Sequence, residues 1–227
     1  MKNVIFIAPP AAGKGTLSKY LEDHLGYIHI STGNILRNVS REDTEVGHSI
    51  AALLKEGKFI GDDIILPLFK MGLEKIKDQP FILDGMPRNL EQAAYLEQLF
   101  LELGVDNYVV IHIEIDEKLL EKRAVGRRIC SCGASYNVYF ESFKPQTDGV
   151  CDYCKQPIVI RDDDTSETFK VRYQTYLEVT SPLIHFYQSR GKLKALDANK
   201  IQEDIISDML NILKGEENDK CQKRERN

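Results

Sequence analysis

Apolar and polar positions change period along the chain, and the changes mark out its elements. Val4-Ile5-Phe6-Ile7-Ala8 is a short, unbroken, β-branched run, the pattern of a strand buried on both faces. Leu17, Tyr20, Leu21 and Leu25 then follow the helical period. Tyr27-Ile28-His29-Ile30 predicts a second strand, closed by Ser31-Thr32-Gly33-Asn34, residues able to cap a helix carrying Ile35, Leu36 and Arg37. Thr32 can serve as an N-cap and also face a ligand. Further helices are expected through Val46, Ile50, Leu53 and Leu54, ending near Gly57, and from Asp62-Asp63 along Ile65, Leu66, Phe69 and Leu73. Phe81-Ile82-Leu83-Asp84 reads as a third strand, and Asn89 to Leu103 as a helix turning Ala93, Leu96, Leu99, Phe100 and Leu103 inward. Tyr108 to Ile115 is the fourth strand and Glu117 to Arg128 the next helix. Thr165 to Ser189 predicts a long helix kinked or split at Pro182. A last strand, Leu193 to Leu196, and a last helix, Ile201 to Leu213, complete the series.

Strands alternating with helices imply an α/β fold, a parallel sheet covered on both faces. In that architecture ligands bind beyond the carboxyl ends of the strands. The loop after the first strand, Thr32 and the Asp84-to-Arg88 turn all fall on that edge. Residues 129–164 interrupt the alternation with Cys, Gly, Pro and Tyr and read as an inserted module. From Gly215 onward the chain is charged and is expected to be disordered.

Composition narrows the function classes. A chain of 227 residues can form one domain with smaller inserts. Its 30 basic and 35 acidic residues leave a net charge of −5, which argues against a general nucleic-acid binder. No apolar run approaches the roughly 20 residues that span a bilayer. Lys2 ahead of an apolar run and Ala11-Ala12 has the outline of a secretory leader, but the run falls short of the roughly 7–15 residues required. The cytoplasm is therefore the expected compartment. Four of the five cysteines, Cys130, Cys132, Cys151 and Cys154, cluster, while Cys221 lies in the tail. In a reducing compartment such a cluster suggests a metal before a disulfide.

The candidate chemistry begins at Pro9-Pro10-Ala11-Ala12-Gly13-Lys14-Gly15-Thr16, a small-residue loop between a strand and a helix start. Backbone N–H groups there carry partial positive charge and hold anionic oxygens. Lys14 would follow the outer phosphates, and Thr16 would place a hydroxyl near a bound Mg²⁺. Taken singly, an arginine on a helix is usually a solvated face or an ion pair rather than a functional group. The five histidines, His24, His29, His48, His112 and His185, show no ligand spacing and read as structural.

With these residues in hand, the chain resembles the adenylate kinase family, in its long form with a full-sized lid. Lys14-Gly15-Thr16 resembles that family's phosphate loop, and Ser31-Thr32-Gly33-Asn34-Ile35-Leu36-Arg37 its AMP-side motif. Leu83-Asp84-Gly85-Met86-Pro87-Arg88 is similar to the family's most diagnostic segment. Arg123 and Arg127 match arginines on the ATP side, while Arg161 and Arg172 match the two beyond the lid. The likeness runs from residue 3 to about 213.

The resemblance implies a P-loop nucleoside-triphosphate fold with a five-stranded parallel sheet flanked by helices. The core would be 1–30, 61–125 and 165–214, with an AMP-binding insert at 31–60, a lid at 126–164 and a tail at 215–227. It implies Mg²⁺-dependent in-line transfer, ATP + AMP = 2 ADP, by a monomer whose partners are nucleotides, with no nucleic acid or membrane. Lys14, Arg88, Arg127, Arg161 and Arg172 would be catalytic. ATP would lie against Ala12, Gly13, Lys14, Gly15, Thr16, Arg123, Arg127 and Lys200. AMP would lie against Thr32, Arg37, Lys58, Ile60, Gly85, Arg88, Gln92, Arg161 and Arg172. Asp84 would hold Mg²⁺ through water, and the four clustered cysteines a structural Zn²⁺. Gly126 and Asp164 are the expected hinges.

The chain also departs from the family pattern. Ala8 and Ala11 replace glycines, Asn34 an aspartate, Met86 an aromatic and Leu17 a glutamine; Cys130-Ser131-Cys132 is one residue shorter than the usual C-x-x-C. A Cβ at position 11 has a cost if that residue takes φ > 0. Three readings stay open beside the main one: a kinase for UMP or CMP or using GTP, a weakened nucleotide sensor, and a zinc-organised interaction module at 130–154.

Overall fold

A computed structural model describes residues 1–56, 58 and 60–215. The expected helix end at Gly57, most of the expected tail (216–227) and Cys221 lie outside the described residues. Five parallel strands form the central sheet in the order β2-β3-β1-β4-β7. They are β1 (Asn3–Ile7), β2 (Ile28–Ser31), β3 (Phe81–Asp84), β4 (Tyr108–Glu114) and β7 (Leu193–Asp197). The helices are α1 (Lys14–Leu25), α2 (Thr32–Val39), α3 (Glu45–Glu56), α4 (Asp62–Glu74), α5 (Leu90–Leu103), α6 (Glu117–Val125), α7 (Ser166–Thr175), α8 (Pro182–Gln188) and α9 (Gln202–Lys214). A two-stranded antiparallel sheet, β5 (Arg127–Ile129) and β6 (Ser135–Asn137), belongs to the insert.

β1 lies mid-sheet, and its alternating side chains divide between two cores. Ile5 and Ile7 join Leu83, Leu96 and Val110 on one face. Val4 and Phe6 join Leu21, Ile82 and Ile111 on the other. Each such side chain withdrawn from water contributes about 1.5–3 kcal/mol, so this short strand anchors both layers. The unbroken apolar run expected of a doubly covered strand is what the fold uses. Register then places the site: Asp84 pairs with Phe6 of β1 and with Ser31 of β2, at the carboxyl edge where the loop after β1 departs.

One helix end moves, one expected break is kept and one cap is assigned. The helix expected to reach Arg128 stops at Val125, capped by Gly126, and Arg127 and Arg128 extend as β5 opposite Tyr136 and Asn137. The helix expected from Thr165 to Ser189 divides before Pro182. Tyr176–Thr180 form a π-turn, and the Ser181 N–H reaches the Tyr176 carbonyl at 2.8 Å. A wider turn accommodates the proline, which has no N–H of its own. Ser31, not Thr32, caps α2, its hydroxyl accepting from the Asn34 N–H at 3.4 Å.

Candidate active site

The loop after β1 enters α1 through two left-handed residues, Ala11 (φ 64) and Gly13 (φ 101). Gly13 takes this conformation freely; Ala11 does so against its Cβ, at a cost of about 1 kcal/mol. Ala11 is therefore the strained position its substitution implied. The amides of Lys14 and Gly15 open a helix N-terminus suited to anions, while that of Thr16 reaches the Gly13 carbonyl at 3.0 Å. The Lys14 ammonium bends back over the loop, 3.4 Å from the Ala8 carbonyl.

Next to the loop, Asp84 ends β3 with the His29 ring 3.5 Å from its carboxylate. Burial alone would raise the Asp84 pKa, but the His29 ring beside it and the charges of Lys14 and Arg88 prevail and hold it down at about 2. Gly85 follows with φ 86; a Cβ there would meet the Thr32 hydroxyl at 2.4 Å and Arg88 Nη2 at 3.2 Å, so the turn requires glycine. Arg88 is tied down at two points. Its Nε donates to the Gly85 carbonyl at 2.9 Å, and its backbone N–H donates to Gln92 Oε1 at 2.7 Å. Gln92 Nε2 in turn donates to Asp62 at 2.5 Å.

The arginines arrive from separate elements. Arg37 on α2 donates to the Asn34 side-chain carbonyl at 2.7 Å, so here a neutral amide orients the guanidinium. Arg127 on β5 grips Asp164 with two nitrogens, Nε at 2.8 Å. Arg172 on α7 donates to Asp163 at 2.8 Å. Arg161 has a buried Nε with no hydrogen-bond partner among the described residues. Burial lowers the pKa of Lys14 and Arg37, and neighbouring cations lower both further. Burial, then the charge of Arg172, brings Arg88 to about 10; burial, then Arg127 and Arg37, does the same for Arg161. Each of these four feels at least one other cation of the cleft through space, and Asp84, Asp163 and Asp164 answer only part of the charge. Such an arrangement favours a polyanion.

These groups line one cleft of about 1300 Å³. Its walls contain the expected Ala12, Gly13, Lys14, Gly15, Thr16, Arg37, Lys58, Ile60, Asp84, Gly85, Arg88, Arg123, Arg127, Arg161, Arg172 and Lys200. Lys58 also pairs with Glu56 at 2.5 Å and Lys200 with Asp208 at 2.6 Å. Thr32 and Gln92 are not brought to the cleft surface. They are 3 % and 1 % exposed, behind the wall, where Thr32 donates to the Gly85 carbonyl at 3.0 Å and Gln92 holds Arg88.

Across the cleft stands Phe140, with Arg123 Cζ 5.8 Å from its ring centre. Phe140 carries no signal in the sequence, because a lone aromatic in an irregular insert has no periodicity to mark it. Nor does the sequence mark Asp163 and Asp164 as the partners of Arg172 and Arg127. Gly126 has an ordinary φ, but a Cβ there would meet Asn137 Oδ1 at 2.4 Å and Tyr139 at 2.5 Å. Close packing, not an unusual backbone conformation, accounts for this glycine.

In the insert, Cys130, Cys132, Cys151 and Cys154 bring their sulfurs within 4.8 Å of one another. Cys130 and Cys154 are 3.3 Å apart, Cys132 and Cys151 3.7 Å. A tetrahedral zinc with four thiolates has sulfur–sulfur edges of about 3.8 Å, so the donor set fits that ion. The short C-x-C arm still closes on its partner pair, because the chain turns tightly at Gly133 (φ 91), whose N–H reaches the Cys130 carbonyl at 3.0 Å.

Comparison with known proteins decides the family. The family model described as Adenylate kinase matches residues 6–192. The chain belongs to the adenylate kinase family. It is similar to the adenylate kinase of Thermosipho africanus, 38 % identical over 214 residues, spanning 93 % of this chain and 99 % of that protein. The adenylate kinase of Borrelia duttonii is 38 % identical over 212 residues, 92 % of this chain and 96 % of that protein. That of Thermotoga maritima is 37 % identical over 216 residues, covering 94 % and 97 %. Adenylate kinases are phosphotransferases that catalyse ATP + AMP = 2 ADP with Mg²⁺, and the five-stranded parallel sheet described above is their fold. Among the described residues, no helix is long and apolar enough to cross a membrane.

Proposed function

We propose that the residues of this chain carry out the adenylate kinase reaction in the cationic cleft, with the triphosphate at the loop after β1 and the monophosphate at the β3 turn. The observation that supports this most is the set of cations, Lys14, Arg37, Arg88, Arg127, Arg161 and Arg172, converging from six separate parts of the chain on one cleft. Phosphoryl transfer needs in-line placement and neutralised oxygens more than covalent catalysis. The accepting AMP phosphate is already an anion, so no general base is required.

In this reading the α1 amides and Lys14 hold the outer phosphates of ATP, and Arg123 and Phe140 flank its base. Arg37 and Arg88 hold the AMP phosphate with paired donors. Arg127, Arg161 and Arg172 stabilise the charge that develops during transfer. Asp84 suits a hydrated cation, since its pKa of about 2 keeps it ionised. Asp84 would hold the Mg²⁺ that comes with ATP, and that ion would supply neutralising charge to the phosphates. Thr32 and Gln92 would act at the AMP end from behind the wall, Gln92 through its hold on Arg88.

The division of labour follows the elements. Residues 1–30, 61–125 and 165–214 form the core, 31–60 the AMP-side insert, and 126–164 the lid, hinging near Gly126 and Asp164. The cysteine cluster would carry a structural zinc that stiffens the lid; four thiolates leave no open position for catalysis. The enzyme would work as a cytoplasmic monomer on free nucleotides. Comparing ADP-type product formation with AMP, UMP, CMP and GMP as acceptors tests the assignment. AMP should be preferred, and preference for a pyrimidine acceptor would overturn it.

A further inference from the structure

Tyr136 has no part in phosphoryl transfer as derived above, yet its hydroxyl is fully committed. β6 turns this side chain into the small lid core of Cys130, Ala134 and Cys151, where it is 6 % exposed. The hydroxyl accepts the Asp152 backbone N–H at 2.7 Å and lies 3.4 Å from Cys151 Sγ. A phenol carries one proton. With an N–H already directed at the oxygen, that proton must point elsewhere, and the Cys151 sulfur is the acceptor within reach. Cys151 is itself fully buried, so water cannot share its charge.

We propose that Tyr136 is a positioning residue for the cysteine cluster: its hydroxyl donates to Cys151 Sγ, fixing that sulfur in the ligand tetrahedron and dispersing part of its charge. The proposal rests on reading the cluster as a zinc site. Four thiolates around a divalent ion leave a net charge of about −2 on the site. The two outer sulfurs belong to Cys132, which is exposed, and Cys154, which is partly so. Cys130 and Cys151 are buried, and at Cys151 the Tyr136 hydroxyl stands in for solvent. Its bond to the Asp152 amide also pins the backbone of the Cys151–Cys154 turn, so one side chain orders both the sulfur and the loop that carries it. Partners of this kind to metal ligands raise metal affinity roughly ten- to a hundredfold.

The experiment compares the full chain with Tyr136→Phe, which keeps the ring and removes the proton. Both are loaded with zinc, quantified by atomic emission, and challenged with a chromophoric chelator. One zinc per chain is expected in each, with the variant releasing its ion at least about tenfold more readily. Both are also loaded with Co²⁺. Loss of the hydroxyl raises the energy of the sulfur electrons, so the thiolate-to-metal charge-transfer band should move to longer wavelength in the variant. A merely structural role for the tyrosine would not move that band. Equal zinc retention with an unshifted band overturns the proposal while leaving the zinc site standing. A wild-type chain that takes up neither zinc nor cobalt overturns the zinc reading itself. If the variant does not fold, 3-fluorotyrosine, a stronger hydroxyl donor, replaces tyrosine in the wild type. The band must then move to shorter wavelength, and no movement counts against the proposal.

Discussion

Asp164 holds Arg127 side-on, two carboxylate oxygens to two guanidinium nitrogens, with the Nε contact at 2.8 Å and the acid's side chain 1 % exposed. The pair joins the first residue of β5 to the end of the insert, 37 positions later in the chain. Removing one member of such a pair leaves the other charge buried and uncompensated. Asp164→Asn should therefore lower the stability of the free enzyme by about 1–3 kcal/mol, a value discounted because Arg127 is partly exposed. Thermal unfolding with and without saturating ATP checks this. The loss should shrink with ATP bound, because phosphate then faces the unpaired guanidinium.

Nucleotide affinity should fall as pH rises toward about 10, the value to which burial and neighbouring cations bring Arg88 and Arg161. The sign follows from linkage: a bound phosphate favours the charged form and raises these pKa values, so the complex holds more protons than the free enzyme. For the free protein the same shift acts oppositely. A cation whose folded pKa lies below its unfolded one binds fewer protons when folded, so its contribution to stability rises through that window. Titrations of a bisubstrate polyphosphate at increasing pH, at constant ionic strength, measure the first effect. A flat profile would contradict it.

Ala11→Gly removes a Cβ from a residue held at φ 64. Relief of about 1 kcal/mol of strain is opposed by about 0.4–1 kcal/mol of added freedom in the unfolded chain. The melting temperature should stay level or rise slightly, whereas Ala11→Val should lower it. A clear fall for the glycine variant would show that the Ala11 methyl, which packs against the β1 core, matters more than the strain.

Gly126→Ala should injure the junction between core and insert although its backbone is unstrained. The added carbon would lie 2.8 Å from the Lys122 carbonyl, which cannot swing aside as a side chain can. Overpacking of this kind costs about 1–3 kcal/mol. On the proposed hinge at Gly126, turnover should drop with it, read as kcat in a coupled assay.

Local pattern carried the central elements, and distant pairing carried the rest. Val4 to Ile7 and Phe81 to Asp84 were readable because a strand covered on both faces must be apolar throughout. Lys14 and Arg88 were readable because each follows a strand at the ligand edge. The stop of α6 at Val125 was not: Glu117 to Arg128 keeps helical composition, and β5 exists only because Tyr136 and Asn137 return beside it. Likewise, the pairing of Arg172 with Asp163 and the position of Phe140 opposite Arg123 arise from folding over a stretch with no period. Thr32 and Gln92 show the reverse case, with residues matched by motif but side chains turned behind the wall.

The account rests on cations from separate elements acting on one phosphoryl group, and Arg88→Ala tests it most directly. The measurement is kcat for ADP formation from ATP and AMP with Mg²⁺, beside circular dichroism to confirm the fold. Loss of one preorganised, desolvated charge should cost about 2.7–4 kcal/mol, roughly a hundred- to a thousandfold in kcat, with the fold unchanged. A folded variant within a few-fold of wild type would contradict the account.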